Sequence, residues 1–395
     1  MNGAVIAGLV GFIVTLIASH FRSTPYDNYV LFADALIHGR LWIDWPGPYI
    51  DAVLGPDGHR YIVNDPLPAL FLIPVVLIVG KAANQTLLAV LLCGIACGAA
   101  WALCRRLGAS AAVSAWLVAF LLGGTDLLWC SMLGDVWFIA QTSAVCFTLL
   151  ALVELAGKSR AWLVMLLFLC AVASRFTMIM ALPVIAYLLY RGGLRIEVEE
   201  WIPHDLRAYR RRSFVEACGV IVPAFALWIG YNLARWGVPW DSGHTIFFHQ
   251  DPVGSPVGSP FGLSHVGYQL WSFFVQSPTI RDTAPWFVPE YSGVALTWTS
   301  PALVLAFLAR RPRPVVAAMW VAALLVAIPN LLYYVNGTAQ FGMRHALDFE
   351  PFLLVLMALA VPKRMPVWGG VLIGYSIVVG LWGVWFWNTF YRPTY

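Results

Sequence analysis

Residues 68–80 read Pro68-Ala69-Leu70-Phe71-Leu72-Ile73-Pro74-Val75-Val76-Leu77-Ile78-Val79-Gly80, and whether this run crosses a bilayer decides the fold. A crossing helix needs roughly 20 apolar residues. This run has 13. That length suits a helix lying along the interface. Eleven other apolar runs come closer to a span: 3–20, 84–104, 111–130, 136–156, 161–174, 176–190, 214–232, 293–309, 314–333, 347–361 and 366–387. The pair between Ala161 and Tyr190 is short and reads as a hairpin folded at Ser174-Arg175.

Charge tests the choice, because short cytoplasmic loops collect Lys and Arg. With 68–80 lying flat and the N-terminus inside, one face receives Arg105, Arg106, Lys158, Arg160, Arg191, Arg195, Arg207, Arg210 to Arg212, Arg310, Arg311, Arg313, Lys363 and Arg364. These are 15 of the 24 basic residues. A crossing at 68–80 would move Arg105-Arg106 outside, and the later clusters with them. The flat reading therefore predicts an all-α polytopic bundle of about eleven transmembrane helices, with juxtamembrane helices in the first outer loop. Fourteen of the 20 acidic residues fall on the outer side, as do seven of the eight histidines.

Composition agrees with the bilayer as solvent. The chain of 395 residues is 60% hydrophobic and 11% charged, and its mean hydropathy is +0.76; a soluble domain carries about 25% charged residues. A net charge of +4, scattered along the chain, gives no footprint for nucleic acid. Cys93, Cys97, Cys104, Cys130, Cys146, Cys170 and Cys218 lie in or beside apolar runs without a C-x-x-C pair, so they read as small core residues. Met1 to His20 lacks a basic n-region and a small-residue cleavage site and reads as a retained first span. The expected organisation is a single transmembrane domain over 1–395 with no separate soluble domain and two long outer loops, 21–83 and 233–292. Loops of this length are usually functional or disordered; these are rich in Trp, Tyr and Phe, which points to folded caps. The basic stretch 191–213 reads as a solvated topology anchor.

Several side chains on the outer side have the chemistry of a site. Asp27 and Asp34 are seven residues apart, nearly on one face of an interfacial helix. A carboxylate with restricted solvation has a raised pKa and serves as a general base. Asp27 equally suits a helix N-cap, and Asp34 a solvated face. Asp135 opens the fourth span as a cap or as a functional acid near membrane depth. Arg175, at the hairpin tip, and Arg344 suit phosphate recognition or snorkelling. Walker, G-x-G-x-x-G, H-E-x-x-H and G-x-S-x-G patterns are absent. The first loop has six Asp but no D-x-D; no cofactor is required, and a divalent metal, though compatible, is not indicated. Gly94-x-x-x-Gly98 and Gly370-x-x-x-Gly374 read as close helix contacts, and Asn336-Gly337-Thr338 as a sequon too near a span end to be a good acceptor.

In their order along the chain these landmarks resemble the GT-C superfamily of polyprenyl-phosphate-sugar glycosyltransferases, in the branch of protein O-mannosyltransferases and lipid A aminoarabinose transferases. The resemblance is carried by Asp27 ahead of Ala33 to Gly39, by Asp65-Pro66-Leu67-Pro68 opening the run to Gly80, by Asp135, by Arg175, and by Arg344-His345 with Pro351. The chain departs from the family at Asn64-Asp65, where Lys often precedes Pro-Pro, so the lipid-phosphate ligand must come from Arg175, Arg344 or Arg281. The resemblance implies sugar transfer from a polyprenyl-phosphate donor to a hydroxyl of a glycan, lipid or protein, on the outer face of a bacterial inner membrane. It also implies inversion, with Asp27 as base, Asp34 or Asp135 as competitors, and Tyr26, Asn28, Asp65 and His345 lining the cavity. The competing reading is a transporter or flippase. Spans without polar centres and without a detectable repeat favour the enzyme.

Overall fold

The computed structural model describes residues 2–45, 51–194, 206–241 and 243–391. It is 69% helical. In chain order the helices are α1 (Asn2–Ser19), α2 (Asn28–Ile37), α3 (Leu67–Val79), α4 (Gln85–Arg106), α5 (Ala111–Gly123), α6 (Leu127–Leu133), α7 (Val136–Leu155) and α8 (Ala161–Val172). They continue with α9 (Leu182–Tyr190), α10 (Leu206–Trp236), α11 (His244–Gln250), α12 (Val266–Phe274), α13 (Leu296–Thr299), α14 (Arg313–Leu332), α15 (Glu350–Ala360) and α16 (Val367–Phe386). Two short antiparallel hairpins lie in the long loops 21–83 and 233–292. β1 (Ala52–Leu54) pairs with β2 (Arg60–Ile62), and β3 (Thr279–Ile280) pairs with β4 (Phe287–Val288).

Among the described residues, six helices are long and apolar enough to cross a membrane: α1, α4, α7, α10, α14 and α16. A seventh span forms if α5 and α6 are taken together across their 49° bend. The other four expected spans are shorter pieces. α8 has 12 residues, the 3-10 turn Phe176–Ala181 leads into α9, and α15 has 11 residues. Segment 293–309 is not an α-helix: four residues of α13 give way to the 3-10 helix Pro301–Leu308. Pro301 explains the break, because proline keeps the preceding residue out of the α region; Ser300 sits at φ −134°, ψ 45°.

α7 forms the centre and α10 the perimeter, with 78% of the apolar window buried in one and 11% in the other. The unburied flanks of α1, α10, α14 and α16 are apolar, including Ile17, Leu227, Leu324 and Val371. Such a surface is costly in water and natural in lipid. Close packing joins α1 to α4. A Cβ at Gly94 would lie 3.0 Å from the Gly8 carbonyl oxygen, and one at Gly98 would lie 3.0 Å from that of Ala4. The Gly370-x-x-x-Gly374 expectation is corrected. Gly374 faces open space, and α16 instead packs through Gly380 against the Gly123 backbone and through Gly383 against Phe341. Five of the seven cysteines are buried, with Cys170 and Cys218 partly so.

The chain leaves α1 and enters α4 at the same end of the bundle. Asn84 Nδ2 donates to the Arg22 carbonyl (3.4 Å), and Gln85 Nε2 donates to those of Tyr26 (3.3 Å) and Gly134 (2.7 Å). The run at 68–80 forms α3, which begins beside the hairpin tip, where Leu67 N–H donates to the Ala173 carbonyl (3.0 Å). It therefore does not carry the chain from one end to the other. The basic turns gather at the opposite end, where Ser110 N–H donates to the Pro362 carbonyl (2.7 Å) and Leu194 N–H to that of Leu155 (3.1 Å). Within the stretch 191–213, residues 195–205, Arg195 among them, lie outside the described residues.

Candidate functional site

A cavity of about 910 Å³ opens at the end of the bundle where the long loops lie. Each side is placed by a different element. The irregular segment after α1 brings Thr24 and Tyr26, the β1–β2 hairpin brings Asp51 and Asp65 at its two edges, and the start of α7 brings Asp135 and Trp137. The α8–α9 turn contributes Arg175, α11 contributes His244, and the chain between α14 and α15 contributes Tyr333, Arg344 and His345. The hairpin is held over the cavity by Gln250 of α11, which accepts from Leu54 N–H (2.8 Å) and donates to its carbonyl (3.1 Å).

Of the residues singled out from sequence, six line this space: Tyr26, Asp65, Asp135, Arg175, Arg344 and His345. Asp27, Asp34, Asn28 and Arg281 are not among the lining residues. Asp27 occupies the N-cap position of α2, where its carbonyl accepts from Val30 N–H at 2.8 Å, but its carboxylate makes no capping bond. Burial raises its pKa, opposed by its backbone hydrogen bond and by Lys81. Asp34 sits in a charge cluster with Lys81 (3.5 Å), His38 (3.7 Å) and Arg40 (3.8 Å), which ties α2 to the end of α3. Asn28 is fully buried in α2, and Arg281 is exposed beside the β3–β4 hairpin.

The cavity holds cations and carboxylates in unlike states. Arg175 is committed: its Nε and Nη2 donate to Asp348 (3.2 and 2.8 Å), which also accepts from Thr177 (2.9 Å) and Asn330 (3.1 Å). Arg344 is not. Its Nε donates to Gln340 Oε1 at 2.9 Å, its guanidinium lies 5.1 Å from the Phe138 ring centre, and among the described residues no carboxylate comes within 4.0 Å. Burial lowers its pKa to about 10, with Cys130, Asp51 and Asp348 opposing and Arg175 assisting. It stays a cation at neutral pH. Gln340 is fixed in turn, donating to the Ser292 (2.6 Å) and Asn336 (3.0 Å) carbonyls, while Asn336 also donates to Ser272 of α12. A buried polar chain thus runs from the second long loop to Arg344. It also occupies the sequon asparagine, whose residue is 3% exposed.

Asp51 and Asp65 face this cation end as partly satisfied acids. Asp51 accepts from the Trp137 indole N–H, and Asp65 accepts from the Phe176 N–H at 2.8 Å. Burial raises both to about 6, opposed in Asp51 by the Trp137 bond and by Arg344, and in Asp65 by the Phe176 bond, Arg175 and Arg235. Each is therefore a carboxylate near neutrality with a proton affinity well above that of a solvated acid. Asp135 accepts from the Thr24 hydroxyl, which fixes the loop after α1 onto α7. His244 is pushed down to about 4, chiefly by burial, and is neutral at physiological pH. Sequence reading did not single out Asp51, His244, Asp251, Tyr333, Tyr334 or Asp348. Asp251 accepts from the Tyr334 hydroxyl across the cavity rim. The available signal was the one-turn spacing of Asp348 from Arg344.

The cavity suits an anionic group held at Arg344, with proton acceptors in the same lining. Aromatic walls from Tyr26, Trp137, Phe247, Tyr333 and Trp387 suit a ligand with apolar faces. Among the described residues no group of three metal-ligating side chains is found. No protein-family model matches the chain, and comparison with curated proteins and with solved structures returns no match.

Proposed function

We propose that this protein is a membrane glycosyltransferase that moves a sugar from a polyprenyl-phosphate donor to a hydroxyl acceptor. One observation carries the reading: Arg344, a buried cation without a carboxylate partner among the described residues, shares a cavity with Asp51, an acid tuned to about 6. A buried charge needs a counter-charge, and a guanidinium is matched to phosphate oxygens. In this reading Arg344 holds the phosphate and gains interaction as negative charge develops on the leaving group. Asp51 takes the proton of the acceptor hydroxyl as its oxygen attacks the anomeric carbon. One displacement of this kind inverts that centre. Asp65 is the alternative base inside the cavity, and Asp27 the one implied by the family resemblance.

The bundle of about eleven spans, with the cavity on the outer face of a bacterial inner membrane, belongs to the same proposal. It is supported by the opposition of cavity loops and basic turns at the two ends of the bundle. A second reading, transport, rests on the 49° break between α5 and α6, where Asp126 is buried and its Oδ1 lacks a partner among the described residues. Broken helices with polar midpoints are a device of transporters. Purified protein in sealed vesicles separates the two. With a radiolabelled polyprenyl-phosphate sugar and a mixed glycan and lipid acceptor pool, the enzyme yields label in a covalent product. Label crossing into the lumen, with the donor intact, would assign transport instead.

A further inference from the structure

The hydrogen bonds around His345 dictate where its proton lies. His345 Nδ1 stands 3.1 Å from Arg175 Nη2. A guanidinium offers only donors, so Nδ1 must meet it with a lone pair. Arg175 cannot turn away, because Asp348 grips it through Nε and Nη2 while Thr177 and Asn330 hold Asp348 from other directions. A doubly protonated ring would set N–H against N–H. The ring is therefore neutral, with its hydrogen on Nε2. That nitrogen has no partner among the described residues, and His345 lines the cavity next to Arg344.

We propose that His345 is a fixed-tautomer Nε2–H donor that binds a phosphate oxygen of the lipid-linked donor alongside Arg344. This rests on the phosphate reading of the cavity. It divides the labour between the two arginines. Arg344 supplies the net positive charge, whereas the charge of Arg175 is spent on Asp348, so Arg175 acts through the imidazole as a positioning residue. A neutral donor of this kind strengthens its bond as the phosphate oxygens gain charge and exchanges no proton with the leaving group.

The test uses the full chain in detergent with farnesyl phosphate as probe. Hydrogen bonds to charged groups are worth about 1.5–3 kcal/mol, so His345→Phe should weaken binding by about 10- to 100-fold. His345→Gln, whose amide nitrogen reaches a similar point, should stay within about threefold of wild type on the same scale. Nitrogen-15 histidine spectra, with His345 assigned from the signal lost in His345→Gln, should show an Nε2–H tautomer at neutral pH. Asp348→Asn should loosen that tautomer. An Nδ1–H ring or an imidazolium would overturn the assignment whatever the binding data show. Equal binding by wild type and His345→Phe, both folded by thermal melt, would overturn this proposal and leave the phosphate reading standing. Failure of the wild type to bind the probe would overturn both.

Discussion

Asp51 and Asp34 belong to the same long loop and differ in what surrounds them. Asp51 faces the cavity and among the described residues accepts from the Trp137 indole N–H, whereas Asp34 lies away from the lining beside Lys81, Arg40 and the His38 ring. Asp51→Asn should lower sugar transfer by about 10²- to 10⁴-fold, the range for loss of a positioned general base. Asp34→Asn should leave the rate intact and cost about 1 kcal/mol or less, as partly exposed ion pairs do; steady-state rates and melts of both variants check this. The pH dependence has a definite sign. Asp51 and Asp65 rise from 3.8 to about 6, so a base among them is protonated and idle below that value, and kcat/KM should fall as pH drops through about 6. Stability runs the other way. The raised pKa favours the protonated folded state, so this contribution is full below about 3.8 and is lost as pH rises through about 6. Melting temperatures at pH 5 and pH 7.5 measure it, and it should shrink in Asp51→Asn. Arg175 and Arg344 were legible as charges at span ends. The difference between them was not, because Asp348 lies 173 residues from Arg175. For the same reason Asp51 is silent in the sequence: its indole donor is 86 residues away.

At the scale of elements, apolar length located the segments well and their conformation less well. A run of suitable hydropathy does not report whether a proline turns it into 3-10 helix, as at Pro301, or whether a Gly-Thr-Asp break bends it, as between α5 and α6. Small-residue spacing has the same limit. Gly94 and Gly98 meet α1, while Gly374 with the same spacing meets nothing, because the pattern does not say which face has a neighbour. Gly94→Leu should therefore destabilise the α1–α4 contact by about 1–3 kcal/mol or more, the cost of overpacking. Gly374→Leu should be near neutral, and thermal unfolding in micelles compares the two. Arg175→Ala should cost about 3–5 kcal/mol, since it strands the fully buried Asp348 carboxylate. That loss would appear as lower expression and melting temperature even without substrate.

At the scale of the molecule, the decisive feature is that residues 20–84 begin and end at one end of the bundle. The short run at 68–80 signalled this by its length, and the basic clusters signalled it by their agreement. Single cysteines at Lys81, Ser259 and Arg311, probed with a membrane-impermeant maleimide, convert it into sidedness. Lys81→Cys and Ser259→Cys should label from the same side, and Arg311→Cys only from the opposite one. Labelling of Lys81→Cys with Arg311→Cys would mean that α3 crosses. On the proposed reading, the cavity shared by Asp51 and Arg344 transfers a sugar. The direct measurement is covalent product formed from a polyprenyl-phosphate sugar by wild type and by Asp51→Asn, reconstituted side by side at matched folding and donor binding. Product from the wild type and its near-complete loss in the variant is the expected outcome. Equal product from both, or intact donor from both with label carried across the vesicle wall, would contradict it.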